Sequence, residues 1–279
     1  MIIDTHIHIY DPTRPEGVPF PEPDDEIYRR VMPEDYRALV ASEGVTGAII
    51  VEASTWVEDN QWVLDVIEDD PFIVGLVGNL DPRAEDFGDH LNRLSPNPLF
   101  LGIRPRTHPW EREDLGKMAG AFEKLVEYDL ELDSGINDAV IEIARRLPDL
   151  RIVINHCGDV PADGNPIAPE RLELMQKAAE QPNIFCKVSG LMDLRCQVVP
   201  APTDPDFYVY LLDALWQLFG EDRVIYGSDW PVLERSKRTP AEAQRLVYDY
   251  FSQKGDAVLE KYFWKNAKVA YKWPDKKRE

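Results

Sequence analysis

The first residues with chemical potential are in Asp4-Thr5-His6-Ile7-His8, where two histidines stand two positions apart. On a strand, residues i and i+2 share a face, so His6 and His8 project side by side, with Asp4 one layer below them. Two neutral imidazoles so placed can share one metal ion or donate hydrogen bonds to one substrate oxygen. His156, in Ile154-Asn155-His156-Cys157-Gly158, and Asp229, in Gly227-Ser228-Asp229-Trp230-Pro231, add a third imidazole and a carboxylate. Taken singly, each has a plain reading: an HxH pair arises by chance, a histidine can be a satisfied core residue, and an Asp in a turn often caps it. Only a fold that brings them to one place makes them a site.

Other residues are candidates for holding a substrate. Arg104 and Arg106, in Gly102-Ile103-Arg104-Pro105-Arg106, are also two apart. Paired guanidinium groups suit a carboxylate clamp, because arginine binds carboxylate bidentately. Ion pairing to nearby acids is the alternative. Glu52 and Asp133 are expected among the substrate-binding groups, and Asn79 and Ser189 share their placement at strand ends. His108 lies in the loop after the fourth strand, whereas His90 falls on an exposed helix face and is set aside.

The elements that would position these groups can be read from short apolar runs bounded by turn signals. Eight strands are expected, at 1–7, 45–52, 72–78, 99–104, 129–133, 151–155, 183–189 and 223–228. Several are apolar on both faces, as in parallel strands covered on both sides. Between them lie helix-compatible stretches. PEDYRALVASEG has Pro33 for the first helical position and Gly44 as a stop, DAVIEIARRLPD places Val140, Ile143, Ala144 and Leu147 on one face, and PERLELMQKAAEQP spans 169–182. AEAQRLVYDYF and DAVLEKYFWKNAKVAYKW read as closing helices. Eight strands alternating with helices predict a single-domain α/β chain folded as a (β/α)8 TIM barrel. The alternative, an open doubly wound sheet, is weakened because no GxGxxG or GxxxxGK[ST] loop follows any strand. In a barrel, the long connections 11–33 and 191–206 would lie at the C-terminal face, where active sites form.

Composition narrows the class. The 279 residues carry 31 Lys+Arg against 51 Asp+Glu, a formal charge of −20. That field disfavours nucleic acid and anionic lipid as partners, leaving a small molecule. No apolar run reaches the roughly 18–20 residues that cross a bilayer, and MIIDTHIHIYDP lacks the pattern of a signal peptide. Three cysteines without CxxC spacing argue against a disulfide framework and fit a cytoplasmic protein.

DTHIH, NHCG on the sixth strand, KVSG on the seventh, GSDWPV on the eighth and the closing NAKVAY together resemble the amidohydrolase superfamily. They are most similar to its lactonase-containing branch, with 2-pyrone-4,6-dicarboxylate lactonase and the sugar lactonases. The motifs are spread over residues 4–271. The resemblance implies a distorted (β/α)8 barrel that hydrolyses a cyclic ester. It gives Asp229 the role of water-activating base, and it gives His6, His8 and His156 the task of holding the substrate carbonyl or a metal. One departure matters. Dinuclear relatives carry a carboxylated Lys at the fifth strand, and many mononuclear ones a His, but here that segment reads Leu130-Glu131-Leu132-Asp133-Ser134-Gly135. The expectation is therefore at most one divalent ion, zinc by preference, held by His6, His8, His156 and Asp229, with metal-free catalysis left open. The alternative function is a metal-dependent decarboxylase or amide hydrolase on the same barrel. The loops would set the substrate, a carboxylate-bearing lactone if the arginines act as a clamp.

Overall fold

A computed structural model describes residues 1–106 and 109–274, so His108 lies outside the described residues. Eight strands form one sheet in sequential order: β1 Ile3–Ile7, β2 Gly47–Val51, β3 Ile73–Gly78, β4 Phe100–Ile103, β5 Glu131–Ser134, β6 Ile152–Ile154, β7 Ile184–Val188 and β8 Val224–Tyr226. Every adjacent pair is parallel. The ring closes just past β8, where Ile7 bridges Trp230 and the Asp229 N–H donates to the His6 carbonyl at 2.9 Å. The architecture is the expected (β/α)8 barrel. The eight strands stand where the apolar runs put them, β5 shifted slightly toward its C-terminal end.

Helices α1 Pro33–Leu39, α2 Glu58–Ile67, α3 Phe87–Leu94, α4 Leu115–Glu127, α5 Asp138–Arg146, α6 Pro169–Ala179, α7 Val209–Phe219 and α8 Pro240–Ser252 follow the strands in turn. Local chemistry starts and stops them. In α5 the Asn137 side chain accepts from the Val140 N–H, Ala139, Val140, Ile143 and Ala144 form the buried stripe, and Arg145 and Arg146 complement the C-terminal dipole. Helix α8 begins with a reciprocal cap between Thr239 and Glu242. Helix α1 stops at Leu39, earlier than Gly44, which instead takes a positive φ of 73° in the following turn.

Two apolar layers result. One lies between strands and helices, and the other fills the barrel interior with Ile3, Ile49, Val51, Val77, Leu101, Val153, Phe185 and Ile225. The interior layer also includes Ala267, Ala270, Tyr271 and Trp273, from α10 (Asn266–Tyr271) and the residues after it; α9 (Asp256–Glu260) precedes it across a π-turn at Lys261–Lys265. Arg151, at the start of β6, donates to the Ala270 carbonyl at 2.6 Å. The C-terminal segment thus plugs the N-terminal end of the barrel and leaves the other end to the loops. All three cysteines are free and buried, and among the described residues no helix is long and apolar enough to cross a membrane.

Candidate active site

The first strand does not alternate as a simple pleat predicts. Its register shifts between Asp4 and Ile7, and Asp4 turns toward α1, where Tyr36 donates to its Oδ2 at 2.5 Å. Asp4 is therefore not the layer beneath His6. Its Oδ1 accepts from the Ser228 N–H at 2.9 Å and the His6 N–H at 3.1 Å, which ties the turn after β8 to β1. Gly227 makes the approach possible, since a Cβ there would sit 2.9 Å from the His6 Cβ and 3.2 Å from that of Ser189. Asp229 and His156 both adopt left-handed backbone, φ 65° and 47°. Such conformations cost about 1–3 kcal/mol and persist where the surroundings impose them.

These constraints bring the four expected residues together at the C-terminal mouth. Asp229 Oδ1 lies 3.5 Å from His6 Nε2 and 3.4 Å from His8 Nε2, while Oδ2 is 3.9 Å from His156 Nδ1. The His6 ring centroid is 5.0 Å from that of His8 and 4.5 Å from that of His156. All four side chains are buried, yet His8, His156 and Asp229 line a cavity of about 430 Å³. Neighbouring groups hold the rings in place. His8 Nδ1 is 2.9 Å from the Val51 carbonyl, which can only accept, so that nitrogen carries the proton. His156 Nδ1 meets Ser189 Oγ at 3.0 Å.

Burial pushes the His6 and His156 rings well below the usual histidine range; neighbouring cations add to this, Lys187 above all at His6. Burial opposes the charge on Asp229, but His156 and Arg195 outweigh it and hold the carboxyl well below the ordinary carboxylate range. Asp229 is thus an ionised carboxylate ringed by imidazoles.

The donor set fits a divalent cation. Ligand atoms of His6, His156 and Asp229 lie within 4.8 Å of one another. With its proton on Nδ1, His8 also aims a lone pair at the Asp229 carboxylate, an arrangement that invites a cation between them. Neutral imidazoles and a carboxylate are ordinary zinc ligands.

The expected substrate groups separate. Arg104 and Arg106 do line the mouth, but they are tied to Glu52: Arg106 Nε is 2.7 Å from Oε2 and Arg104 Nη1 is 3.7 Å from Oε1. Glu52 is buried and faces those arginines, so it positions them. Asn79 supports the same corner, accepting from the Arg106 N–H at 3.1 Å. Asp133 lies inside the barrel, wholly buried, 2.7 Å from Lys187 Nζ and 2.8 Å from the Tyr271 hydroxyl. It is an internal ion-pair partner and does not line the mouth, because the interior face of β5 points at the buried lysine of β7. His90 pairs with Asp86 on α3.

Several residues of the site were not anticipated. Asp193 and Arg195, from the long loop after β7, pair with each other at the mouth, and Arg195 Nη1 is 3.9 Å from Asp229 Oδ2. Burial and the Asp229 charge push the Asp193 carboxyl up to about 8, with Arg195 pulling the other way. Charged residues in a long loop at the C-terminal face were the available signal. Phe20, from the loop after β1, also lines the mouth, its ring flanked by the Arg106 and Arg235 guanidinium carbons at 5.7 and 5.3 Å. The Arg14–Asp59 pair at 2.6 Å and the Arg29–Glu234 pair at 2.8 Å pin that loop. Lys187 carried a plainer signal: a lysine in the middle of Asn-Ile-Phe-Cys-Lys-Val-Ser, a strand buried on both faces.

Comparison with known proteins agrees with this fold. The amidohydrolase family model matches residues 3–273. An L-fucono-1,5-lactonase of Burkholderia ambifaria is 33% identical over 241 residues, covering 82% of this chain and 80% of the lactonase. Among solved structures, an amidohydrolase from Burkholderia multivorans with bound zinc superposes with a TM-score of 0.84 at 21% identity, covering 98% of this chain and all (100%) of that one. A probable 2-pyrone-4,6-dicarboxylic acid hydrolase of Acinetobacter baumannii with citric acid bound gives 0.74 at 15% identity, over 97% of this chain and 99% of its own. At these identities the two structures speak for the fold.

Proposed function

This chain belongs to the amidohydrolase family and is a hydrolase, and we propose that it opens a lactone or similar small cyclic ester. The observation that carries the reading is the buried side chain of Asp229 within 3.4–3.9 Å of three imidazoles at the edge of a cavity. Asp229 takes a proton from a water molecule as the oxygen attacks the ester carbonyl carbon. His6, His8 and His156 surround the point where negative charge grows on the carbonyl oxygen, and a hydrogen bond donated there, or a cation held by these rings, lowers the barrier. When the ring C–O bond breaks, the proton held by Asp229 passes to the leaving oxygen, and the carboxylate is restored. A divalent ion bound by this His and Asp group would supply Lewis-acid polarisation of the carbonyl.

Substrate selection belongs to the loops. Arg104, Arg106, Arg195 and Arg235 all line the mouth, against Asp159, Asp193 and Asp229. Each of these arginines already faces an acid, Glu52, Asp193 or Asp25, so a lactone bearing a carboxylate would bind by sharing or exchanging those partners. A panel of sugar and pyrone lactones, scored by acid release with and without a chelator, tests the reading. Hydrolysis of at least one lactone is expected. Release of CO2 from an aromatic or vinylogous acid, with every lactone left intact, would replace it by decarboxylation.

A further inference from the structure

We propose that Lys187 locks His6 in the tautomer with its proton on Nε2, making His6 a hydrogen-bond donor to the substrate and withdrawing it from metal ligation. Lys187 rises inside the barrel from β7 and is wholly buried. Its Nζ has three neighbours: the Thr5 carbonyl at 3.2 Å, Asp133 Oδ2 at 2.7 Å and His6 Nδ1 at 3.2 Å. A carbonyl and a carboxylate can only accept, and an ammonium has three protons to give. Three acceptors around three donors satisfy the group completely, with His6 Nδ1 as the third acceptor. The opposite arrangement, a neutral amine accepting from Nδ1–H, would leave the buried Asp133 carboxylate without a counter-charge, which interiors tolerate poorly. With Nδ1 accepting, the ring proton of a neutral imidazole is on Nε2.

The two histidines of the pair are then opposite in kind. His8 gives its Nδ1 proton to the Val51 carbonyl at 2.9 Å and keeps a lone pair on Nε2. That backbone-carbonyl partner is the usual second contact of a metal-bound histidine. His6 instead has a cation behind its ring and a proton in front. Its Nε2 is buried without a hydrogen-bond partner and stands 3.5 Å from Asp229 Oδ1. A desolvated donor without an acceptor is costly to keep, and a lactone carbonyl oxygen in the mouth would satisfy it, most strongly once that oxygen carries negative charge. The last step rests on the lactonase reading, whereas the tautomer does not.

The test is ring 1H–15N correlation spectroscopy of 15N-histidine-labelled protein, chelator-treated and then titrated with zinc, with His6 assigned by loss of its signals in His6→Gln. The expected spectrum shows His6 protonated at Nε2 and bare at Nδ1, with His8 the reverse. Added zinc should move the His8 signals and leave the His6 pattern in place. A His6 ring protonated at Nδ1, or loss of its Nε2 proton as zinc binds, overturns the proposal. The double variant Lys187→Met/Asp133→Asn removes both buried charges together and should release His6 into a mixture of tautomers. A folded double variant that keeps pure Nε2–H would show that Lys187 is not the cause. If this variant does not fold, the parent spectrum still decides the tautomer. Absence of lactone hydrolysis would fail the functional reading without touching the spectrum.

Discussion

Replacing Asp229 with Asn separates a general base from a structural acid. The side chain keeps its size and one carbonyl oxygen but loses the site that accepts a proton from water. Removing a general base costs about 10²–10⁴-fold in kcat, which at about 1.36 kcal/mol per decade is roughly 2.7–5.4 kcal/mol of barrier. The structure argues that this loss is not hidden by unfolding. Asn tolerates the left-handed φ of 65° that position 229 requires, and its amide can donate to the His8 Nε2 lone pair now 3.4 Å from the carboxylate. The lost charge facing Arg195 is compensated next door. Asp193 is pushed up to about 8 partly by the Asp229 charge; without that charge its carboxyl ionises more readily beside Arg195. A stability change of about 1 kcal/mol, or roughly 2–4 °C in Tm, is expected. Steady-state kinetics on the best lactone of the panel, with thermal melts on the same samples, reads both quantities. KM should stay near its parent value. Near-normal turnover in well-folded Asp229→Asn would refute the assignment and move the base to His156.

The remaining predictions address the surroundings of that carboxylate. Because Asp229 is held below the ordinary carboxylate value of about 3.9, its basic form survives as pH falls, and kcat/KM should stay level between about pH 7 and 5; an acidic limb centred near the ordinary histidine value of about 6.5 would implicate an imidazole instead. Arg104 is held more loosely by Glu52 than Arg106 is, 3.7 against 2.7 Å, so Arg104→Met should raise KM for an acidic lactone about tenfold or more, as loss of a charge-assisted bond implies. An equal rise for a neutral lactone would leave Arg104 a purely structural residue. Tyr36→Phe removes the donor to buried Asp4 and should cost about 1–3 kcal/mol, seen as a lowered Tm with kcat largely retained; an unchanged Tm would show that the Tyr36–Asp4 bond adds nothing to the turn.

Much of this was legible in the sequence because it depends on short-range pattern. Apolar runs of five to eight residues between turn signals mark buried parallel strands, and their count and alternation with helices imply a barrel. A barrel in turn brings strand ends together, so His6, His8, His156 and Asp229 could be grouped before any coordinate was known. Tertiary structure decided what depends on partners far apart in the chain. Asp133 and Glu52 stand at strand ends like the site residues, but Lys187 and the two arginines claim them, 54 residues away in each of the pairs Lys187–Asp133 and Arg106–Glu52. The Asp4 side chain followed a register shift that no spacing rule shows, and the face it took was set by Tyr36 and Ser228. Asp193 and Arg195 reached the mouth through the path of a long loop, which local propensity does not specify. The tautomer of His6 turns on one proton, and its place is set by an ammonium 181 residues along the chain. Residue types and their periodicity determined the scaffold and the quartet at its mouth; the pairing of buried charges, a long-range electrostatic matter, determined what each member of the quartet has left to offer.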